Sequence, residues 1–149
     1  MMTPQASDGD AIVALAWARR PDDQSIRGER CLVLSTESTA DQIRRQGPMF
    51  RTMTAKDDAN THPNPARLRR ILKGEGQTLS FEATRLNLPE LSPTCRYRYS
   101  VSAPVMIDDY AYIDVGAWCD SLCGSGEVLL LQRREGRWQI VESVVQYDS

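Results

Sequence analysis

The sequence predicts one α+β domain, in which two helices pack on a curved antiparallel sheet of four to six strands. Apolar residues at helical spacing predict a helix at residues 8–20, and a shorter helix is predicted at residues 65–73. Residues 95–147 alternate with a two-residue period between short turn segments, which is typical of four strands paired as an antiparallel meander. Helices that precede such a run of strands indicate the α+β class.

Length, charge and composition narrow the class of protein. A chain of 149 residues usually forms one domain, and its 41% hydrophobic content is that of a globular protein. The net charge of −2 provides no global basic field that would attract nucleic acid. No run approaches 18 apolar residues, so no transmembrane segment is predicted.

The N-terminal half is predicted to contain both helices and one strand. Ser7 is a suitable N-cap for the first helix. The apolar run that begins at Cys31 predicts a buried strand at residues 30–36. Residues 41–64 carry a weak pattern interrupted by prolines and are predicted to be irregular, after which Pro65 takes the first position of the second helix.

Strands in the C-terminal third present different residues on their two faces. In the strand that begins at Cys95, tyrosines and valines alternate with arginines and serines. A hairpin turn at Glu135-Gly136 is predicted to join the last two strands. In the strand from Tyr110 to Trp118, the same alternation places two sets on opposite faces: Ala111, Ile113, Val115 and Ala117 on one, and Tyr110, Tyr112, Asp114 and Gly116 on the other.

Four cysteines, Cys31, Cys95, Cys119 and Cys123, allow three disulfide pairings. Cys119 and Cys123 are close in sequence, and the glycine-containing loop from Cys119 to Gly126 can bring them within bonding distance. We therefore predict a structural disulfide between these two, which leaves Cys31 and Cys95 as a second pair. A redox-active pair and a metal site are the alternatives.

The neighbouring residues favour the structural disulfide. A redox pair usually needs a helix N-terminus to lower the pKa of one thiol, whereas a strand is predicted after Cys123. A zinc site needs four ligands, and the one histidine, His62, lies in a loop that is distant in the sequence. No catalytic residue, metal ligand or cofactor is therefore predicted.

A ligand-binding face is predicted around Asp114. Its carboxylate shares a strand face with Tyr112, and in a cavity it could act as an acid or base or anchor a ligand. Tyr97, Tyr99 and Trp118 are the aromatic side chains expected to join the wall of that cavity. A carboxylate that faces solvent or pairs with an arginine, such as Arg96 or Arg98 on a neighbouring strand, is favoured over this role.

A motif of the form Cys-x-x-Leu-Cys-Gly-x-Gly begins at Cys119, within a longer pattern that covers about a third of the chain. The matching residues are Ala111, Val115, Cys119, Leu122, Cys123, Gly124, Gly126, Leu130, Gly136, Trp138 and Ile140. This pattern resembles a family of uncharacterised bacterial proteins that are often exported or lipid-anchored, although the usual glycine after the first cysteine is Asp120 here. The resemblance implies a nuclear-transport-factor-2-like or cystatin-like fold and an extracytoplasmic setting, and it implies no known activity.

Three hypotheses of function follow. The first is a non-enzymatic, extracytoplasmic binding or interaction domain, such as an inhibitor or immunity-type protein, whose partner is an unidentified protein or small molecule. The second is a small-ligand pocket protein or enzyme that uses Asp114, and the third is a thiol-redox protein that uses Cys119 and Cys123. A periplasmic or secreted protein whose signal or lipid anchor is not in this chain is expected, with a cytoplasmic protein as the alternative.

Overall fold

The structure is a computed structural model that describes residues 7–19, 29–45, 65–82, 95–119 and 123–148. Side chains are described for these residues apart from 29, 30, 65, 95, 96, 119, 123 and 144–148. The helices are α1 (Asp8–Arg19), α2 (Thr39–Arg45) and α3 (Pro65–Leu72). The strands are β1 (Glu29–Leu34), β2 (Gln77–Thr78), β3 (Cys95–Val101), β4 (Val105–Ile107), β5 (Tyr110–Cys119), β6 (Cys123–Arg134) and β7 (Arg137–Asp148).

All seven described strands belong to one sheet, which confirms the predicted α+β class. β3 and β4 pair antiparallel with the two halves of β5, so that they behave as one strand interrupted at residues 102–104. β6 pairs with the other side of β5, and β7 pairs with β6. On the outer side of β3 and β4 lie β1 and β2.

The sheet departs from the prediction in its size and in one pairing direction. It contains seven described strands instead of four to six, and β1 runs parallel to β3, so the sheet is mixed. A parallel pair needs a long crossover, which the chain between β1 and β3 provides. The C-terminal region holds five strands because the ladder breaks at Pro104, which has no N–H to donate. Its carbonyl oxygen instead accepts a hydrogen bond from the backbone N–H of Leu79 at 2.8 Å.

Helix α1 packs on one face of the sheet, which we call the α1 face. The backbone N–H of Asp10 donates to Ser7 Oγ at 3.1 Å, so Ser7 is the predicted N-cap. Helix α1 approaches the segment after β2 so closely that a Cβ on Gly9 would lie 2.0 Å from the carbonyl oxygen of Ser80. The cluster buried on this face includes Ile12, Val13, Leu32, Tyr97, Tyr99, Val101, Ile113, Leu129, Leu131 and Trp138.

Helices α2 and α3 cover the opposite face, which we call the α2–α3 face. Helix α3 ends within one residue of its predicted end, and Gly74, with a φ of 90°, follows it. None of the helices in the described segments is long and apolar enough to cross a membrane. The cluster buried on this face consists of Ala40, Ile43, Leu68, Ile71, Val105, Ile107, Tyr112, Val128 and Leu130.

The prediction that residues 41–64 are irregular is wrong at its start, where residues 41–45 complete helix α2. Ser38 caps this helix, because its Oγ accepts a hydrogen bond from the backbone N–H of Asp41 at 3.1 Å. The helix is short and mostly polar, so its sequence carries no clear periodic pattern. Burial of Ile43 stabilises it instead. Residues 46–64, which include His62, lie outside the described residues.

Strand β1 ends at Leu34, two residues before the predicted boundary at residue 36. The Oγ of Ser35 accepts a hydrogen bond from the backbone N–H of Glu37 at 3.2 Å, which turns the chain away from the sheet. The predicted strand is confirmed, but its apolar run is buried only at Cys31 and Leu32, because Leu34 at the end of the strand is 48% exposed.

The connection between β5 and β6 is tighter than the predicted loop from Cys119 to Gly126. Strand β6 begins at Cys123, directly opposite Cys119, so only residues 120–122 separate the two strands. The next hairpin follows the prediction. Glu135 and Gly136 have φ values of 53° and 76°, as a two-residue turn of the favoured type requires.

Candidate functional site

A cavity of about 350 Å³ lies between the C-terminal half of α1 and the α1 face of the sheet. This volume falls at the lower end of the range for small-molecule sites, which is about 300–1,000 Å³. Strands β3, β5 and β6 form its floor, and α1 forms its roof. The lining includes Trp17, Tyr99, Val115, Ala117, Ser125 and Leu129.

Small side chains on the floor and the roof leave this volume unfilled. Ala117 pairs directly with Ser125 across β5 and β6, and alternation directs both side chains toward α1. The pair Ile113 and Leu129, on the same face, carries larger side chains that are fully or almost fully buried. Above the floor, the α1 residue Ala16 is also small. The cavity therefore begins where the paired side chains of the sheet become short.

Aromatic side chains form one wall of the cavity. The rings of Trp17 and Tyr99 meet edge to face, with centroids 5.4 Å apart and an interplanar angle of 84°. Tyr97 also stacks on Tyr99, at 4.7 Å between centroids. Because the ring of Tyr99 contacts two other aromatic rings and is 3% exposed, the wall is preorganised for an apolar group.

The charged side chains of the lining, Arg19 and Glu127, stand at the mouth of the cavity. Arg19 Nη1 lies 3.5 Å from Glu127 Oε1, and the two side chains are 43% and 23% exposed. A cation and an anion thus lie side by side, where the apolar interior meets solvent.

The sheet separates the residues that the sequence predicts as one ligand-binding face. Tyr97 and Tyr99 lie on the α1 face, in the buried cluster of that face. Asp114, Tyr112 and Trp118 lie on the α2–α3 face, and Trp118 is partly exposed there. Of the five residues, Tyr99 lines the cavity. A ligand-binding role for the other four stays a prediction.

Asp114 lies in a buried polar cluster that joins α2 to the sheet. Its backbone N–H donates to Thr39 Oγ1 at 3.0 Å, and its carbonyl oxygen accepts from the N–H of Ser102 at 3.1 Å. Gln42 Nε2 donates to Ser102 Oγ and to the carbonyl oxygen of Glu37. These contacts satisfy the backbone N–H and carbonyl groups of Asp114 and the side-chain amide of Gln42, and they fix the position of α2 on β5.

A second polar contact joins α3 to β5. Arg67 Nη1 donates to the hydroxyl of Tyr112 at 3.3 Å, and the guanidinium carbon lies 3.5 Å from the ring centroid of Tyr110. Burial raises the pKa of Tyr112 above its ordinary value, and the Arg67 guanidinium acts against this increase. The arrangement attaches a helix and does not adjoin the cavity.

The described part of the chain bears on the cysteine predictions at two points. Cys31 is buried and disulfide-bonded. Cys119 and Cys123 are cross-strand partners, and the residue after Cys123 continues in a strand, not in a helix that would lower a thiol pKa. Among the described side chains, no group of three histidines, cysteines, aspartates or glutamates is placed to hold a metal ion.

Apart from Tyr99, the residues that form the cavity were not predicted as a site. Trp17 is predicted on the first helix, but without a role in a pocket. The sequence does contain a signal for the cavity. If Cys119 lies opposite Cys123, counting two residues away from the turn on each strand places Ala117 opposite Ser125. These are two small side chains at a core-facing position.

Comparisons of the chain with protein-family models, with curated proteins and with solved structures give no match. The resemblance of the C-terminal third to an exported bacterial family therefore stays an expectation. The geometry of the cavity is the basis for the functional proposal.

Proposed function

We propose that this protein is a non-enzymatic binding domain that holds a small molecule in the cavity between α1 and the sheet. The observation that carries the proposal is the cavity itself, which has a ligand-sized volume, a rigid aromatic wall and a polar mouth. Asp114, the acid that a pocket enzyme would use in our second hypothesis, lies on the other face of the sheet. Binding therefore accounts for the cavity better than acid–base catalysis by Asp114.

A protein-docking role finds less support in the distribution of exposed apolar side chains. The large exposed hydrophobic residues of the described segments are Leu34, at 48%, and Trp118, at 40%. Leu34 follows the alternation of Leu32 and belongs to the α1 face, whereas Trp118 belongs to the α2–α3 face. The two side chains do not form one continuous patch of the kind that marks a protein interface.

We also propose that the domain works in an oxidising compartment, outside the cytoplasm. Structural disulfides persist in such compartments, and Cys31 is disulfide-bonded. The cross-strand positions of Cys119 and Cys123 fit a disulfide, because directly opposed residues have Cα atoms about 4.5–5.5 Å apart. The remaining pair would be Cys31 with Cys95, which lie on neighbouring strands.

The binding proposal can be tested by filling the cavity. Ala117→Leu adds three carbon atoms to the floor, and Ala14→Leu makes the same change at an exposed position of α1. We expect p-cresol, a neutral aromatic probe, to give saturable shifts of the Tyr99 and Val115 amide signals in NMR titrations of the native protein and of Ala14→Leu. The shifts should disappear in Ala117→Leu, provided that circular dichroism shows a folded protein.

Two outcomes would overturn the binding proposal. One is the absence of saturable shifts in the native protein at millimolar concentrations of every aromatic probe tested, p-cresol included. The other is an undiminished response in folded Ala117→Leu, since the probe would then bind elsewhere. If Ala117→Leu does not fold, Ser125→Leu fills the same volume from the opposite strand and replaces it.

A further inference from the structure

The ion pair at the mouth of the cavity does not occupy all the hydrogen-bonding groups of its two side chains. Its 3.5 Å separation exceeds the usual length of a hydrogen bond, and the described segments show no hydrogen bond to the side chain of Arg19 or Glu127. A guanidinium has five N–H donors and a carboxylate has two acceptor oxygens, so both groups retain capacity for a ligand. The protein therefore presents a cationic and an anionic side chain next to each other, beside the apolar interior of the cavity.

This arrangement selects among ligand charges. The other lining residues are uncharged, so the cavity as a whole is electrically neutral. A ligand with a single charge would draw one member of the pair to itself and leave the other without its partner. A neutral ligand would use neither group. A ligand that carries both charges on adjacent atoms can engage both at once, and charge-assisted hydrogen bonds are the stronger kind.

The interior defines the rest of the ligand. Behind the mouth lie the edge-to-face rings of Trp17 and Tyr99 and the aliphatic side chains of Val115 and Leu129. These surfaces suit one aromatic or branched aliphatic group. The volume of about 350 Å³ accommodates a molecule of this size and not an extended chain.

We propose that the cavity binds a free α-amino acid with an apolar side chain. The carboxylate would bind Arg19, the ammonium would bind Glu127, and the side chain would occupy the space beside Trp17 and Tyr99. A peptide terminus offers one of the two charges at a given end, so it is a poorer match. This inference rests on the proposed function, because it assigns a ligand class to the same cavity.

The test compares four ligands by NMR titration of the intact protein. L-phenylalanine carries both charges, N-acetyl-L-phenylalanine lacks the ammonium, L-phenylalanine methyl ester lacks the carboxylate, and p-cresol lacks both. We expect L-phenylalanine to bind most tightly and each blocked derivative to bind roughly tenfold more weakly or worse, since each loses a charge-assisted hydrogen bond.

Two charge-removing variants locate the effect. Arg19→Met and Glu127→Gln should each weaken L-phenylalanine binding roughly tenfold and leave p-cresol binding unchanged. Arg137→Met and Glu135→Gln make the same changes at exposed positions near the β6–β7 turn and should alter neither.

The outcomes separate this inference from the binding proposal. Equal or tighter binding of p-cresol, or of either blocked derivative, overturns the amino-acid inference and leaves the cavity as a binding site. Native-like L-phenylalanine affinity in Arg19→Met or Glu127→Gln also overturns it. Failure of all four ligands overturns both proposals together.

Discussion

At the scale of single residues, two positions that the sequence marked as chemical lie where helices attach to the sheet. Asp114 joins α2 through its backbone N–H, which donates to Thr39, and Tyr112 joins α3 through its hydroxyl, which accepts from Arg67. A tyrosine and an aspartate on a core-facing strand position resemble a binding site in sequence, because residue type alone does not reveal which helix covers them. The distinction became visible only when their hydrogen-bond partners were known.

The raised pKa of Tyr112 predicts a change of stability in alkaline solution. Burial is the main cause, and the folded protein therefore holds the phenol proton more tightly than the unfolded chain, whose tyrosine pKa is about 10. The stabilisation is complete below pH of about 10 and is lost as pH rises through the raised pKa. We expect urea unfolding between pH 9 and 11 to show a falling free energy, with a shallower fall in Tyr112→Phe.

The matched control for Tyr112 is its neighbour Tyr110, which is only half-buried. An equal loss of the pH slope in Tyr110→Phe would contradict the assignment to Tyr112. So would a Tyr112→Phe variant whose slope equals that of the native protein.

At the scale of elements, the sequence predicts bounds well where local signals are strong. The Ser7 cap placed the start of α1, and the alternation in β5 divided the two faces of the sheet correctly. Helix α2 was missed because it is short and is stabilised by burial of Ile43. The parallel pairing of β1 with β3 was missed because it depends on a crossover that no local pattern encodes.

Because α1 packs tightly at Gly9, replacement of this glycine by alanine should destabilise the protein, although the same replacement usually stabilises a helix. Replacement of glycine by alanine in an exposed helix usually stabilises by up to about 1 kcal/mol. Here the new methyl group would meet the backbone oxygen of Ser80, which cannot rotate away. We expect Gly9→Ala to lower the free energy of unfolding by about 1–3 kcal/mol, measured by urea denaturation.

The control for Gly9 is Ala14→Gly, at an exposed position on the same helix. It should lose about 1 kcal/mol through helix propensity alone. A Gly9→Ala protein that is as stable as the native one, or more stable, would mean that α1 is not held against Ser80.

At the scale of the whole molecule, the proposed disulfides predict how stability responds to reduction. A Cys31–Cys95 bond would close a loop of about 65 residues and stabilise by roughly 4 kcal/mol, whereas Cys119–Cys123 would close a short loop worth roughly 2 kcal/mol. We expect reductant to lower the urea midpoint of the native protein. This decrease should be larger than the decrease that the double substitution Cys119→Ser/Cys123→Ser causes without reductant. Peptide mass spectrometry without reduction identifies the bonded pairs directly.

Free thiols at Cys119 and Cys123 in air-purified protein would contradict the pairing and weaken the argument for an oxidising compartment. A peptide in which Cys31 is joined to Cys119 or Cys123 would contradict the pairing alone. An unchanged midpoint in reductant, with complete reduction shown by mass, would mean that the bonds do not stabilise the fold.

Helix α1 is attached to the rest of the domain more firmly at its first turn than at its last turn. Its first turn is fastened by Asp8, which accepts from Trp138 Nε1 at 2.9 Å, and by Asp10, which accepts from the N–H of Glu82 at 2.9 Å. Its last turn, above the cavity, carries the partly exposed Arg19–Glu127 pair, a kind of contact worth about 0–1 kcal/mol. We therefore expect the last turn of α1 to be displaced before its first turn when a ligand enters, while the main core stays packed.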